Sequence, residues 1–435
     1  MHTLAQLKQG QLQGATHIKI AAGLTEFPTE IFNLADTLEI LDLSQNELSS
    51  LPNEFACLSK LKIAFFSDNN FTELPAVLGK CKSLEMIGFK SNQIKTVSEE
   101  SLPEITHWLI LTNNQIEVIP ASIGKCYRLQ KLALAGNKIK ALPAEMANCK
   151  SLELIRISAN LLTELPVWIL QLPKLSWLAY AGNPFTETHQ IPNKLALIDW
   201  NNIHLLEQLG QGASGVIYKA YLNKDTQETV AVKIFKGEVT SDGLPLNEMN
   251  ACMAAGNHPN LIAVMGKVHN HPEQKEALVL SLIPAHFKNL GNPPNLASCS
   301  RDVFDNGTSF SLQQILTIAK GMASVGEHLH SLGINHGDLY AHNIMYDQAG
   351  NHLFGDFGAA TFYNPQTNEG AAIERIEVRA YGCLLDDLLG YLPNEDKQQN
   401  VINKLSLLKD DCMQASISQR PSFSEINIQL QAINN

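Results

Sequence analysis

The chain has 435 residues, 45% apolar and 17% charged, with a formal net charge of −11. That length and composition fit roughly two to four globular domains with ample core. The acidic balance argues against a nucleic-acid partner, because a phosphate backbone demands a basic surface. It reads instead as a solvated surface.

The opening MHTLAQLKQGQ has no basic segment leading into an apolar one. No apolar run approaches membrane-spanning length. The expectation is a cytoplasmic protein with no signal peptide and no membrane partner.

A repeat fills the first half. Asn46, Asn69, Asn92, Asn114, Asn137, Asn160 and Asn183 recur every 22 or 23 residues. Around each lies L-x-x-L-x-L-x-x-N-x-L with conservative swaps, as in Leu38, Leu41, Leu43, Asn46 and Leu48. A Leu/Ile-Pro pair usually follows, at Pro52, Pro75, Pro120, Pro143 and Pro166. Alternating apolar residues make a short strand with one buried face. The Asn amide satisfies backbone groups where the strand turns away, and stacked copies share one core.

This pattern resembles the leucine-rich repeat family, which implies an α/β solenoid, a horseshoe, over 1–188. Residues 15–34 read as a degenerate first copy, with Ile18 and Ile20 facing in, and 1–14 as a cap. Cys81, Cys126 and Cys149 share one repeat phase. That phase marks small buried residues rather than metal ligands or disulfides. Ile63, Phe65, Met86, Trp108 and Ile110 fall between the buried positions, on the concave face. An exposed apolar patch there reads as a docking surface for a protein partner.

The repeat pattern fades over 185–200, and 189–200 is expected to be a linker. Its Leu195, Leu197, Ile198 and Trp200 suit packing on the second half rather than free swinging. EQLGQGASGVIYKAY follows, with Gly210, Gly212 and Gly215 spaced G-x-G-x-x-G. Alone, this spacing equally suits a dinucleotide site. Here strand-forming residues, not a helix, come after the glycines, so the expectation is a strand–turn–strand hairpin.

Lys233 ends the strand-like TVAVK, and a buried Lys there needs an anion. Glu248, in LNEMNACMAAGNHPNLI, is the best candidate, with Met249, Cys252 and Met253 turned toward the core by helical spacing. The apolar run ALVLSLIP reads as a buried strand, 286–310 as a loop, and 311–332 as a helix. Then comes HGDLYAHNIMYDQAGNHLFGDFG, placing Asp338, Asn343 five residues later and Asp356 thirteen beyond that. Two carboxylates and a carboxamide at this spacing suit phosphoryl transfer.

Taken together, G-x-G-x-x-G, VAVK, H-G-D-x-x-x-x-N and D-F-G resemble the eukaryotic-type protein kinases. The resemblance covers about 201–435 and implies an α+β two-lobed fold, with an N-lobe over about 201–283 and a C-lobe over about 284–435. It implies ATP and Mg²⁺ as cofactors. Asp338 would be the catalytic base, Lys233 the phosphate contact and Glu248 its partner. Asn343 and Asp356 would hold the metal. Gly210, Gly212, Gly215, Ile217 and Ala231 would cover the nucleotide, and Ser281 and Ile283 would offer adenine their backbone.

Departures are plain. Gly337 stands where the family has Arg, and only 18 residues lie between Gly358 and Glu377, with no A-P-E. Activity independent of activation-loop phosphorylation is therefore expected. Arg420 matches a late family Arg that usually pairs with the A-P-E Glu, so Glu374 or Glu377 is expected to substitute. Tyr340 and His342 stand where serine/threonine and tyrosine kinases carry Lys and Arg. The expected function is a protein kinase, serine/threonine by preference, with the repeats as recognition surface. A pseudokinase scaffold and a small-molecule phosphotransferase are the alternatives.

Overall fold

Short parallel strands open the chain, at His17–Lys19, Ile40–Asp42, Ile63–Phe65, Met86–Gly88, Trp108–Ile110, Lys131–Ala133 and Leu154–Arg156. They pair in sequence order and in register, Ile40 beside Ile63, then Met86, Trp108, Lys131 and Leu154. The central residue of each rung from Leu41 to Ile155 is buried. The computed structural model describes residues 1–186, 195–223, 228–237, 239–240, 242–393 and 399–433. These fall into two units: Met1–Leu172 with Asn183–Phe185, and Pro173–Gly182 with Thr186–Asn435. The expected boundary at 188 and the first part of the expected linker, 189–194, lie outside the described residues.

The asparagines do the work that their spacing suggests. Asn69 accepts the Leu48 N–H at 2.9 Å and donates to Leu43 O at 3.0 Å and Phe66 O at 3.1 Å. Asn137 does the same for Ile116, Leu111 and Leu134. Each amide thus ties its own copy to the preceding one. Each of the pairs at Pro52, Pro75, Pro120, Pro143 and Pro166 starts a short 3₁₀ helix, such as Asn53–Cys57 after Pro52 and Ala144–Asn148 after Pro143, because proline presets the first φ. The copy at Asn92, with Val97-Ser98 in place of that pair, has Thr96–Val97 paired to Glu73–Leu74 instead. Cys81, Cys126 and Cys149 are buried, and burial raises their thiols to about 11, 12 and 11. Helix Leu4–Lys8, with a capping box at Thr3, covers the first copy.

The concave patch is less open than the sequence suggests. Ile63 and Met86 are buried, while Phe65, Trp108 and Ile110 are half-buried. Neighbouring rungs cover one another. The Phe65 ring lies over Gly88, and the Lys131 ammonium sits 4.3 Å from the Trp108 ring centre.

In the second unit, a six-stranded sheet runs in the order Leu197–Asp199, Val264–His269, Ala277–Ser281, Glu228–Phe235, Gly215–Leu222 and Ile203–Gln211. The last two strands form the antiparallel hairpin that carries the glycines. The end of the expected linker is therefore a sheet edge, parallel to Val264–His269. Helix Pro245–Ala255 packs its Met249 and Met253 on Phe235 and Leu278. Below lie helices Leu312–Ser331, Asn368–Gly390, Gln399–Cys412 and Phe423–Ala432. Ser311 and Ser422 begin two of them with capping boxes, the Ser–Gln and Ser–Glu pairs three residues apart that such caps need. The expected loop over 286–310 includes a short strand, Lys288–Asn289, paired with Ile344–Tyr346. Among the described residues, no helix is long and apolar enough to cross a membrane.

Candidate active site

The hairpin turn is closed by the Gly212 N–H donating to Gly215 O at 2.9 Å. A Cβ at Gly215 would come within 2.6 Å of Ile234 O, so that glycine is demanded by the neighbouring strand. At Gly210 and Gly212 a Cβ would meet nothing within 4 Å. The fold itself therefore does not demand glycine at either position. In the sheet Ile217 stands opposite Lys233 on the neighbouring strand, and Ala231 opposite Leu280. Ala231 is buried and Ile217 half-buried. Ser281 gives its N–H to Ala263 O at 2.9 Å. Its hydroxyl accepts the Ala263 N–H at 3.2 Å. Ile283 is half-buried.

Lys233 and Glu248 form a buried ion pair. Burial works against the lysine's charge, but Glu248 and Asp356 outweigh it and hold the pKa above the usual lysine value. Asp356 is exposed and has left-handed backbone, with φ of 60°. That conformation is costly for a non-glycine residue and typical of functional turns.

Asn343 donates to Asp338 Oδ2 at 2.8 Å and to Asp338 O at 3.0 Å, which locks the catalytic-loop candidates together. His342 lies within electrostatic reach of both Asp338 and Asp356. Burial lowers its pKa, yet the 2.7 Å contact to Asp302 and those two carboxylates leave it raised. The candidates thus include two directly bonded pairs, Lys233–Glu248 and Asp338–Asn343.

The loop is held from beneath. Glu377 is buried and accepts the N–H groups of His336 at 3.1 Å and Gly337 at 2.6 Å, with His330 Nε2 at 2.7 Å. His336 packs on Phe354 and Phe357, with ring centres 4.1 and 4.7 Å away. Arg420 pairs with neither Glu374 nor Glu377, contrary to expectation. Glu374 accepts the Phe423 N–H at the start of a helix, and Glu377 is occupied by the loop. Arg420 donates to three carbonyls instead, Gln414, Arg375 and Pro173. Burial and the nearby Arg379 push its pKa down.

Sequence reasoning missed Asp302 and His330, which have no recognisable spacing to the loop, and Trp177, which falls at a repeat position. Tyr340 was noted only as a departure. Its ring is buried and stacks on Trp177, with centres 4.3 Å apart and planes at 6°.

A glycine hairpin over a Lys–Glu pair, above an Asp–Asn loop and D-F-G, defines a protein kinase domain. Comparison with known families agrees: residues 203–381 match the protein kinase domain, and 37–58, 106–162 and 127–185 match leucine-rich repeats. The chain carries N-terminal leucine-rich repeats and a C-terminal protein kinase domain. It is similar to cyclin-dependent kinase 11.1 of Caenorhabditis elegans, 30% identical over 161 residues, covering 36% of this chain and 21% of that protein. It is also similar to a probable cyclin-dependent serine/threonine-protein kinase of Dictyostelium discoideum, 23% identical over 52% of this chain and 37% of that protein. Serine/threonine-protein kinase PITSLRE of Drosophila melanogaster is 26% identical over 43% of this chain and 21% of that protein. The chain thus spans well under half the length of these curated relatives.

A protein kinase domain uses ATP and a divalent metal. The buried Lys233 ammonium offers the positive charge that a nucleotide phosphate needs. Among the described residues no three His, Cys, Asp or Glu side chains cluster as a metal cage.

Proposed function

We propose that the chain is an ATP-dependent serine/threonine protein kinase that transfers the γ-phosphoryl group of Mg-ATP to a protein hydroxyl. Asp338 orients the hydroxyl and accepts its proton. Lys233, positioned by Glu248, neutralises phosphate charge. Asn343 and Asp356 hold Mg²⁺, which screens the phosphate oxygens when bound. Gly210, Gly212 and Gly215 cover the phosphates, Ile217 and Ala231 pack on the base, and the backbone at Ser281 and Ile283 reads adenine. The observation that carries this reading is the buried Lys233–Glu248 pair within electrostatic reach of Asp356. An intact pair of this kind is what active kinases require.

The repeats are the recognition surface, and Phe65, Trp108 and Ile110, with Ile63 and Met86 on the same face, are the contact patch for a protein partner. Neither nucleic acid nor membrane is a partner in this reading. Cysteines held as thiols, such as the buried Cys81, Cys126 and Cys149, suit a reducing, cytoplasmic location.

Radiolabelled ATP with a general protein substrate, compared between wild type and Asp338→Asn, tests the reading. Phosphoprotein formed by wild type and lost in the variant is expected. Nucleotide binding without transfer would make the domain a scaffold, and labelled small molecules without phosphoprotein would make it a small-molecule phosphotransferase.

A further inference from the structure

Gly337, at the position of the missing Arg, has φ of 72°, a conformation L side chains rarely adopt. A Cβ there would lie 2.6 Å from Leu178 O and 2.8 Å from Ala359 O. The space is filled by the chain's own backbone, from Ala359, just after D-F-G, on one side and from the segment Pro173–Gly182 on the other. By sequence this segment is the start of the last repeat copy, yet it belongs to the second unit.

Its contacts surround Asp338. Trp177 Nε1 donates to Leu339 O at 3.0 Å, and its indole stacks on Tyr340. Asn335 donates to Leu178 O at 2.9 Å. The Tyr180 N–H approaches Thr361 Oγ1 at 3.3 Å, just after D-F-G. Arg379 holds Ser176 Oγ at 3.0 Å, and Arg420 holds Pro173 O at 2.8 Å. Residues on both sides of the candidate base, and the segment following D-F-G, are therefore tied to one strand.

We propose that Pro173–Gly182 is a built-in brace for the catalytic loop. It supplies the loop order that an Arg–phosphate contact on a longer activation segment supplies elsewhere. Trp177 is its principal positioning residue. It touches neither nucleotide nor metal, and acts by fixing the peptide that follows Asp338. A base displaced by about 1 Å loses on the order of 10²-fold in rate, so the brace acts on the chemical step and not on nucleotide affinity. The proposal rests on the kinase reading above.

The test compares full-length wild type, Trp177→Phe and Trp177→Ala, measuring kcat, KM for ATP, melting temperature and amide exchange over 335–342. Phe keeps an aromatic ring against Tyr340 and removes the bond to Leu339 O. The brace predicts that Trp177→Phe lowers kcat about tenfold, leaves KM for ATP within twofold, and speeds exchange at 335–342 but not at 228–235. Trp177→Ala should lower kcat further; if it does not fold, the Phe variant decides alone. Wild-type kcat and exchange in Trp177→Phe would overturn the brace. So would an unselective loss in which melting temperature, KM and exchange throughout the second unit all worsen together. An inactive wild type would instead defeat the kinase reading, and the exchange comparison would still decide the brace.

Discussion

Glu377 accepts the backbone N–H of Gly337 at 2.6 Å, so a buried carboxylate anchors the residue beside the candidate base. Burial alone would raise this carboxyl, but the His330 imidazole and the loop N–H groups outweigh it and hold the pKa below the usual Glu value. A depressed carboxylate adds stability above its unfolded pKa and loses it as pH falls through the folded one. Acid melts should therefore steepen below about pH 4.5, the ordinary glutamate range. Glu377→Gln should remove that pH-dependent part and lower stability at pH 7 by about 1–3 kcal/mol, the cost of leaving a buried loop N–H unsatisfied. Urea titrations of both proteins from pH 3 to 7 check this.

The Lys233–Glu248 pair makes a different demand. Glu248→Gln keeps the shape but leaves the ammonium without its buried counter-charge. Turnover should fall by about 10²-fold, the usual cost of losing one preorganised electrostatic partner. Steady-state kinetics and a nucleotide titration read both effects, and nucleotide affinity should change far less than kcat.

His342 gives a neutral-pH prediction. Its imidazole is raised by Asp302, with Asp338 and Asp356 adding. A raised histidine contributes stability that is complete below its unfolded value of about 6.5 and disappears as pH climbs through the folded value. His342→Gln should flatten the fall in stability on the alkaline side of pH 6.5. Asp302→Asn should shift the imidazole titration to lower pH, measured by NMR of the ring protons.

Much of this was legible in the sequence, and the limits are instructive. The repeat register followed from the asparagine spacing because each amide bonds locally, to its own copy and the one before. The glycine hairpin followed from β-type residues after Gly215, and helix Leu312–Ser331 from its apolar period. Arg420 was not legible. Its partners are carbonyls at Pro173, Arg375 and Gln414, and carbonyls leave no side-chain signature. Nor was the role of Trp177, because a buried aromatic at a repeat position already has a sufficient explanation in the repeat. Burial of Ile63 and Met86 depended on neighbouring side chains, which strand alternation does not describe.

Trp108 tests the recognition surface. It is half-buried, with Lys131 over its ring. Trp108→Ala should weaken capture of a protein partner by at least tenfold, as loss of an aromatic hot spot of about 2 kcal/mol would. The melting temperature should move little. A large stability loss would mean the indole is core and the patch lies elsewhere.

In the proposed function Lys233, Asp338, Asn343 and Asp356 serve one Mg–nucleotide site. The most direct measurement is the thermal shift of wild type and Asp356→Asn with a non-hydrolysable ATP analogue, with and without Mg²⁺. At a ligand concentration of about 100 Kd, binding should stabilise wild type by about 2.7 kcal/mol. The account predicts that this gain depends on Mg²⁺ in wild type and loses its Mg²⁺ dependence in Asp356→Asn. An equal, metal-dependent shift in both proteins, or no shift in either, would contradict it.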